Sequence, residues 1–183
     1  MHRGECANKR FGEFIALQTI PDIKQGPISV DSLYEMVGSA MNIPSAAMGQ
    51  PTQFVVLNDI EILSRVAGIV QVPAFTMQAL AAIIVCGDVN MAQVKDKWTV
   101  DCEAAAQQLL FAAHANGLGA YISSLYPDRD RIDGITVLFN LPENIVAHSY
   151  VSLGYPAKVP SARDSFRNER VHYNGWVRRK STF

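Results

Sequence analysis

Apolar side chains recur along this chain with two different spacings, and these predict helices and strands in alternation. Spacing of three and four residues after a capping residue predicts helices, which lie at 30–41 behind Ser29, in a short segment behind Asn58 and Asp59, at 99–115 and at 130–139. Short runs of apolar and β-branched residues predict strands, which lie at 53–57, 82–86, 120–123 and 145–153. The first two strands are expected to be buried on both faces, and the second to stop at Gly87-Asp88.

The segment that opens at Thr99 carries the strongest helix pattern. Asp101 lies in its first turn, where negative charge is favoured by the helix dipole, and Asn116-Gly117 is suited to ending it. Because the segment is apolar on nearly every side, it is predicted to be a central, buried helix. No internal repeat and no linker interrupts the pattern, so residues 1–183 are expected to form one α+β domain, with an irregular segment at 1–27 and an extended arm at 157–183.

Composition narrows the class of protein. The 183 residues are 49% hydrophobic and 18% charged, which excludes a disordered or low-complexity chain. A net charge of −1 argues against nucleic acid as the main partner. The arm nevertheless carries seven basic and two acidic residues, a net of +5, against −6 for the preceding 156 residues. Such an arm could bind its own body, a partner's body or a small anion.

Cysteine usage and the chain start bear on location. Cys6, Cys86 and Cys102 are an odd, widely spaced set, which predicts no disulfide framework and no metal site and fits a reducing, cytoplasmic compartment. The first residues have no apolar core of a secretory signal. The long uncharged runs at 66–87 and 104–127 contain glutamine, histidine and proline, so they are read as buried elements and not membrane spans.

Side-chain motifs for catalysis are not apparent. The four histidines are far apart, no serine lies in a Gly-x-Ser-x-Gly elbow, and no pair of carboxylates stands out. Gly117-Leu118-Gly119 follows a helix instead of a strand, which excludes a dinucleotide loop. The sequence therefore predicts no catalytic side chain and no metal, a pattern expected when a bound cofactor performs the difficult step.

Three segments remain as candidate ligand-binding elements. The first is the small, polar loop between Pro44 and Pro51, whose backbone could approach a flat ligand. The second is the end of the predicted strand around Ser123, where backbone N–H groups are free. The third is the arm, where Arg163 could clamp a phosphate through its bidentate guanidinium. On spacing alone, a plain connector is an equally good interpretation of the loop.

In this order, the segments resemble the FMN-dependent nitroreductase family. The family loop Ala-Pro-Ser-Ala-x-Asn-x-Gln-Pro is matched at 43–51, and its Asp-x-x-x-Ala-x-Gln-Asn helix ending in Gly-Leu-Gly is matched at 101–119. The C-terminal signature is matched by Leu153-Gly154-Tyr155-Pro156, Pro160, Arg163, Val171-His172 and Trp176. The resemblance runs from about residue 28 to residue 176.

The resemblance implies a nitroreductase-like fold, with a central, mostly antiparallel sheet flanked by helices and a C-terminal arm exchanged across a homodimer. It implies ping-pong hydride transfer from NAD(P)H through FMN, held at the subunit interface, to a small acceptor such as a nitroaromatic or quinone. The residues that it places at the cofactor are Pro44, Ser45, Ala46, Met48, Gln50, Ile122, Ser123 and Ser124, with Arg163 on the phosphate.

The chain departs from the family pattern at one end and within two motifs. The family carries an Arg-Arg-Ser-x-Arg run before its first helix, and here residues 17–21 in that place contain no arginine. Met48 stands where the family loop has asparagine, and Gln108 where its helix has one. A second hypothesis therefore stays open: a non-catalytic or weakly flavin-binding dimeric relative that acts as a binding or sensing protein. Reductive dehalogenation and flavin fragmentation are further reactions of the wider superfamily, and nothing in the sequence favours either.

Overall fold

Four helices and five strands alternate along the part of the chain that the computed structural model describes, which is residues 23–24, 26–157 and 167–176. The helices are α1 (Val30–Met41), α2 (Ile60–Val70), α3 (Trp98–Ala115) and α4 (Arg129–Phe139). The strands are β1 (Ile23–Lys24), β2 (Thr52–Leu57), β3 (Ala81–Asp88), β4 (Gly119–Ser124) and β5 (Ile145–Pro156). Short 3₁₀ turns lie at Ala74–Thr76 and Asn168–Arg170.

The strands form one sheet in which every described pairing is antiparallel. The long strand β5 is central: it pairs with β3 on one side and with β4 on the other, and its end pairs with β1. Strand β2 completes the sheet beyond β3. The eight residues from Ala147 to Gly154 in β5 are all buried, as expected for a strand covered on both faces. The predicted α+β class is confirmed.

Helices cover both faces of the sheet, so there are two apolar layers. Helices α1 and α3 pack on one face against Ile83, Val85 and Val151, and this layer is called the α3 face. Helices α2 and α4 pack on the opposite face against Ile84, Cys86 and Tyr150, which is called the α4 face. Full burial of one large apolar side chain contributes about 2 kcal/mol, so these two layers supply the main favourable contribution to folding.

The helix starts are fixed by the caps that the sequence predicts. The Ser29 hydroxyl accepts a 3.1 Å hydrogen bond from the Ser32 N–H at the start of α1. The Asp59 carboxylate accepts bonds of 2.9 and 3.0 Å from the Glu61 and Ile62 N–H groups at the start of α2. The C-terminal end of α3 is also where the sequence predicts it: Gly117, just after the helix, adopts a φ of +70°.

Three local predictions were wrong. Strand β2 is not buried on both faces: it pairs with β3 alone among the described residues, and its residues 52–56 are half-buried. A short apolar run does not by itself distinguish an edge strand from a central one. Helix α3 begins at Trp98, one residue before the predicted start, and Gly87 lies inside β3. The predictions for Arg163 and for residues 17–21 concern positions outside the described residues.

Candidate functional site

The loop between α1 and β2 is anchored on the first turn of α3 through one buried carboxylate. Asp101 is 6% exposed and accepts three hydrogen bonds from the loop. The Ser45 hydroxyl donates at 2.6 Å, the Ala46 N–H at 2.5 Å and the Ala47 N–H at 3.0 Å. Hydrogen bonds to an ionised acceptor are stronger than neutral ones, so this anchor fixes the course of the loop.

The anchor changes the expected role of Ser45. Its hydroxyl donates to Asp101 and also accepts a 3.2 Å bond from the Gln50 N–H. A hydroxyl has one donor and two acceptor sites, so one acceptor site remains for a ligand. The amides of Ala46 and Ala47 are also used by Asp101. The groups of this loop that stay available are therefore concentrated at its far end, at Met48 and Gln50, which are both exposed.

The far end of the loop has a strained backbone. Met48 and Gln50 have φ values of +60° and +48°, in the left-handed region that side-chain-bearing residues rarely adopt. Each such residue costs on the order of 1 kcal/mol and persists only where its surroundings enforce it. Strain of this kind clusters at ligand clamps, and Met48 is 71% exposed, so core packing of its side chain does not explain it.

A second loop supports the first from outside. The Gln93 N–H donates a 3.0 Å bond to the Ala47 carbonyl oxygen. Gly49 lies directly against the Met91 carbonyl, where any Cβ atom would clash with backbone. Glycine at position 49 therefore permits a close approach between the two loops, and the loop is held on both sides.

Strand β4 carries the second group of predicted residues. Ile122 packs into the α3 face of the core, so its side chain has a structural role. The Ser123 hydroxyl is buried and has no hydrogen-bond partner among the residues that the structure describes. Ser124 is exposed, and its carbonyl accepts a 3.0 Å bond from Arg131. A buried hydroxyl without a hydrogen-bond partner is energetically unfavourable, so a polar group close to Ser123 would stabilise it.

The two groups lie at the same end of the sheet but do not form one enclosed pocket within the chain. Ser123 pairs across from Tyr150, which places its side chain on the α4 face, whereas the loop is anchored to α3 on the opposite face. The crevice beside Pro44, Ser45 and Gln50 encloses about 10 Å³, room for about one water molecule. A three-ring ligand could therefore lie only on the surface of one chain, and would need a second surface to cover it.

Trp98, Tyr126 and His148 form an aromatic cluster that the sequence analysis missed. The ring of His148 stacks on Tyr126 at 5.7 Å with planes 14° apart, and meets Trp98 edge-on at 5.7 Å. His148 is the extra residue of a β-bulge, because Val85 pairs with Ser149 while Cys86 pairs with Ala147. No local sequence signal marks a bulge, so the three aromatic residues, distant in sequence, could not be associated beforehand.

His148 also orients the turn that follows Ser123 and Ser124. Its carbonyl accepts hydrogen bonds from the Leu125 N–H at 2.9 Å and the Tyr126 N–H at 3.1 Å. Its Nδ1 lies 2.9 Å from the Ser149 hydroxyl, and its Nε2 lies 4.0 Å from Glu103. Burial lowers the pKa of His148, and the nearby Glu103 carboxylate partly opposes that shift. The neutral imidazole is therefore the form that this packing favours.

Thiol and metal chemistry find little support in the described part of the chain. Cys86 and Cys102 are free and buried, and burial raises the pKa of Cys86 to about 12 and that of Cys102 further still. Thiols of this kind are poor nucleophiles. Within the same residues, no group of three potential ligands is arranged to hold a metal ion. None of the helices described is both long and apolar enough to cross a bilayer.

Comparison with known proteins identifies relatives along most of the chain. A protein of Methanothermobacter thermautotrophicus, inferred to be an NADH dehydrogenase/NAD(P)H nitroreductase, is 38% identical over 142 residues, which are 78% of this chain and 74% of that protein. A protein of Archaeoglobus fulgidus with the same inferred name is 35% identical over 153 residues, covering 81% and 88% of the two chains. No family model matches the sequence.

The fold agrees with that relationship. The crystal structure of a protein of Parabacteroides distasonis, also inferred to be an NADH dehydrogenase/NAD(P)H nitroreductase, superposes with a TM-score of 0.82 at 28% identity, covering 92% of this chain and 99% of that one. Sequence identity over most of both chains, together with this shared fold, shows that the chain belongs to the NAD(P)H nitroreductase family.

Proposed function

We propose that this protein is an FMN-dependent oxidoreductase that uses NAD(P)H to reduce a small acceptor such as a nitroaromatic or a quinone. The observation that carries the proposal is the loop of residues 44–50. It is anchored by Asp101, and it is strained at Met48 and Gln50, the end that faces solvent. Rigid loops with stored strain are typical of ligand clamps, and this is the loop that the family resemblance places against the flavin.

The residues of the chain fit a flavin ring edge, which carries both donors and acceptors. Gln50 is exposed and offers an amide, whereas the Ser123 hydroxyl is buried, so Ser123 would contribute largely through its backbone N–H group. Strand β4 pairs with β5 only among the described residues, so its outer edge offers backbone N–H groups. Pro44, Ser45, Ala46 and Met48 would form the supporting wall of the loop, and Ile122 and Ser124 would flank Ser123.

When bound, FMN would supply the capacity to accept a hydride from NAD(P)H and to pass it to the acceptor, in a ping-pong sequence. The chain's own residues would bind, orient and shield the reacting rings. Loop 44–50 would fix one edge of the cofactor and the end of β4 the other. Arg163, from the arm, would hold the phosphate through its bidentate guanidinium. No side chain is required as acid or base, in keeping with the absence of a carboxylate pair in the sequence.

We further propose that two copies of the chain build the site together. A stripe on α1 formed by Val30, Tyr34 and Met41 is 49%, 66% and 53% exposed, and helical spacing aligns the three side chains. In the arm segment, Tyr173 and Trp176 are 85% and 82% exposed. These apolar groups favour burial against a second copy, and the basic arm and acidic body are complementary in charge. We also propose that the chain forms a single domain with an extended C-terminal arm. We expect the protein to work in the reducing environment of the cytoplasm.

The proposal is tested by titrating the purified chain with FMN and then measuring NAD(P)H oxidation with a nitroaromatic or quinone acceptor. We expect saturable FMN binding and acceptor-dependent turnover. Arg163→Ala should weaken FMN binding at least about tenfold, because a bidentate phosphate contact is lost, whereas Arg178→Ala in the same arm should not. FMN binding without turnover would instead support the non-catalytic relative that the missing N-terminal arginines leave open. Absence of both FMN binding and turnover would refute the oxidoreductase and would leave only a binding or sensing protein without flavin.

A further inference from the structure

A cavity of about 280 Å³ lies between α4, the turn before β5 and the start of α3. Its floor is apolar, formed by Ile132, Ile145 and Val146. An engineered cavity of about 150 Å³ in another protein is large enough to bind benzene, so this space has room for one or two aromatic rings. Among the residues that the resemblance places at the cofactor, none of those that the structure describes lines it.

One wall of the cavity is aromatic. Trp98 and Tyr126 both line it, with ring centroids 5.1 Å apart and planes at 75°. His148 stacks on the Tyr126 ring, and Tyr126 remains 39% exposed, so part of this residue is accessible from the cavity that it lines. Because burial lowers the pKa of His148, the neutral form of the imidazole stacked on the tyrosine is favoured. An aromatic face of this kind attracts flat rings and cations.

The rim of the cavity carries more negative than positive charge. Asp133 and Glu143 contribute carboxylates, and Arg129 contributes one guanidinium. Arg129 and Asp133 lie one turn apart on α4, at the spacing where opposite charges offset each other. Glu143, on the turn before β5, adds a second carboxylate, so the described lining carries two carboxylates and one guanidinium.

We propose that this cavity is a second ligand site, which takes a planar aromatic cation of one or two rings. The ring would lie in the cavity against Tyr126 and Trp98, and its positive charge would face Glu143 and Asp133. The combination of an apolar floor, an aromatic wall and a net negative rim selects such a ligand over a neutral or anionic one. The proposal does not depend on FMN binding.

The test is isothermal titration of the full-length chain with N-methylquinolinium, a two-ring cation, and with uncharged quinoline at pH 8. We expect saturable binding of the cation and binding of quinoline at least about tenfold weaker, because the charge contacts are missing. Thr136→Trp, which places an indole in the cavity, should abolish cation binding. The matched control Val137→Trp lies next to it on α4 at a position 82% exposed, and should bind as the wild type does.

A variant of the cavity rim provides a second test, which does not depend on the folding of Thr136→Trp. Asp133→Asn with Glu143→Gln changes only exposed side chains and should weaken cation binding about tenfold while leaving quinoline unaffected. The proposal is overturned if the cation binds without saturation, if quinoline binds as tightly, or if Thr136→Trp and Val137→Trp bind alike. Competition between FMN and the cation would also overturn it, since the cavity would then belong to the cofactor site. FMN affinity that survives Thr136→Trp supports two separate sites.

Discussion

The Ser45 hydroxyl donates a 2.6 Å hydrogen bond to the carboxylate of Asp101, 56 positions later in the chain. Asp101 also accepts hydrogen bonds from the N–H groups of Ala46 and Ala47. Together the three bonds join the loop before β2 to the first turn of α3. The loop is thus positioned by a helix that is itself packed into the core. A loop fixed in this way can present strained residues to a ligand without collapsing onto the sheet.

Replacing Asp101 should detach that loop. In Asp101→Asn the amide keeps only one acceptor atom, so at least one of the three donors loses its partner and the free energy of unfolding should fall by about 2 kcal/mol. Urea unfolding measures this difference. Asp31→Asn is the matched control, because Asp31 also lies in the first turn of a helix but is exposed; it should change stability by less than about 0.5 kcal/mol. Equal effects of the two substitutions would contradict the anchoring role.

Relieving the backbone strain at Met48 should raise the stability of the fold and weaken FMN binding. Met48→Gly removes the cost of a left-handed backbone and should raise the free energy of unfolding by about 1 kcal/mol, while FMN binding weakens as the loop gains freedom. Gln71→Gly provides the comparison, because Gln71 ends α2 with a φ of +54°, away from the loop. It should stabilise by a similar amount and leave FMN affinity unchanged. A Met48→Gly variant with undiminished FMN affinity would show that the strain serves no ligand.

The buried imidazole of His148 should make stability depend on pH. Its pKa in the folded state lies below 6.5, so the unfolded state binds more protons as pH falls through that range. Stability is therefore complete above about pH 6.5 and is lost as pH falls through the folded-state pKa. Urea midpoints measured between pH 8 and pH 5 should decline in the wild type, and His148→Phe should reduce that decline.

A substitution at Glu103 tests whether His148 causes the pH dependence of stability. Its carboxylate partly offsets the effect of burial on His148, so Glu103→Gln should lower the pKa of His148 further and deepen the loss of stability at low pH. The effect should be small, since the Glu103 side chain is 61% exposed. If His148→Phe keeps the full pH dependence of the wild type, another group is responsible.

The exposed stripe on α1 should be needed for pairing of two chains. Tyr34→Glu places a charge on a side chain that is 66% exposed, so the fold of one chain should tolerate it. In a dimer it would be desolvated, and association should weaken by at least about 2 kcal/mol, or about 30-fold. Sedimentation analysis measures the change. Val137→Glu, on α4, should leave association unaffected; similar behaviour of the two variants would exclude the stripe from the interface.

The sequence predicted elements well where one local signal determines them. The capping residues Ser29 and Asp59 and the apolar spacing behind them specified two helices, because caps and helix faces act within a few residues. The position of β2 at an edge was not predictable, since pairing depends on strands far along the chain. For the same reason the contact of Asp101 with Ser45 was missed: the first-turn position of Asp101 indicated only a favourable helix dipole.

The candidate site also has parts that the sequence could predict and parts that it could not. The motif resemblance predicts that the loop and the end of β4 bind the cofactor, but it could not show that Asp101 already uses the amides of Ala46 and Ala47. It also gave no indication of His148, whose ring reaches Tyr126 and Trp98 through a β-bulge. Bulges and buried carboxylates act between distant segments, and only the assembled fold reveals them.

The central claim is that two chains together bind FMN between loop 44–50 and the end of β4. Size-exclusion chromatography of the FMN-loaded protein, with light scattering and visible absorbance recorded together, tests it most directly. We predict one peak with twice the 20.1 kDa mass of the chain, carrying flavin absorbance at one FMN per chain. A colourless peak at the mass of a single chain, with all flavin eluting free, would contradict it.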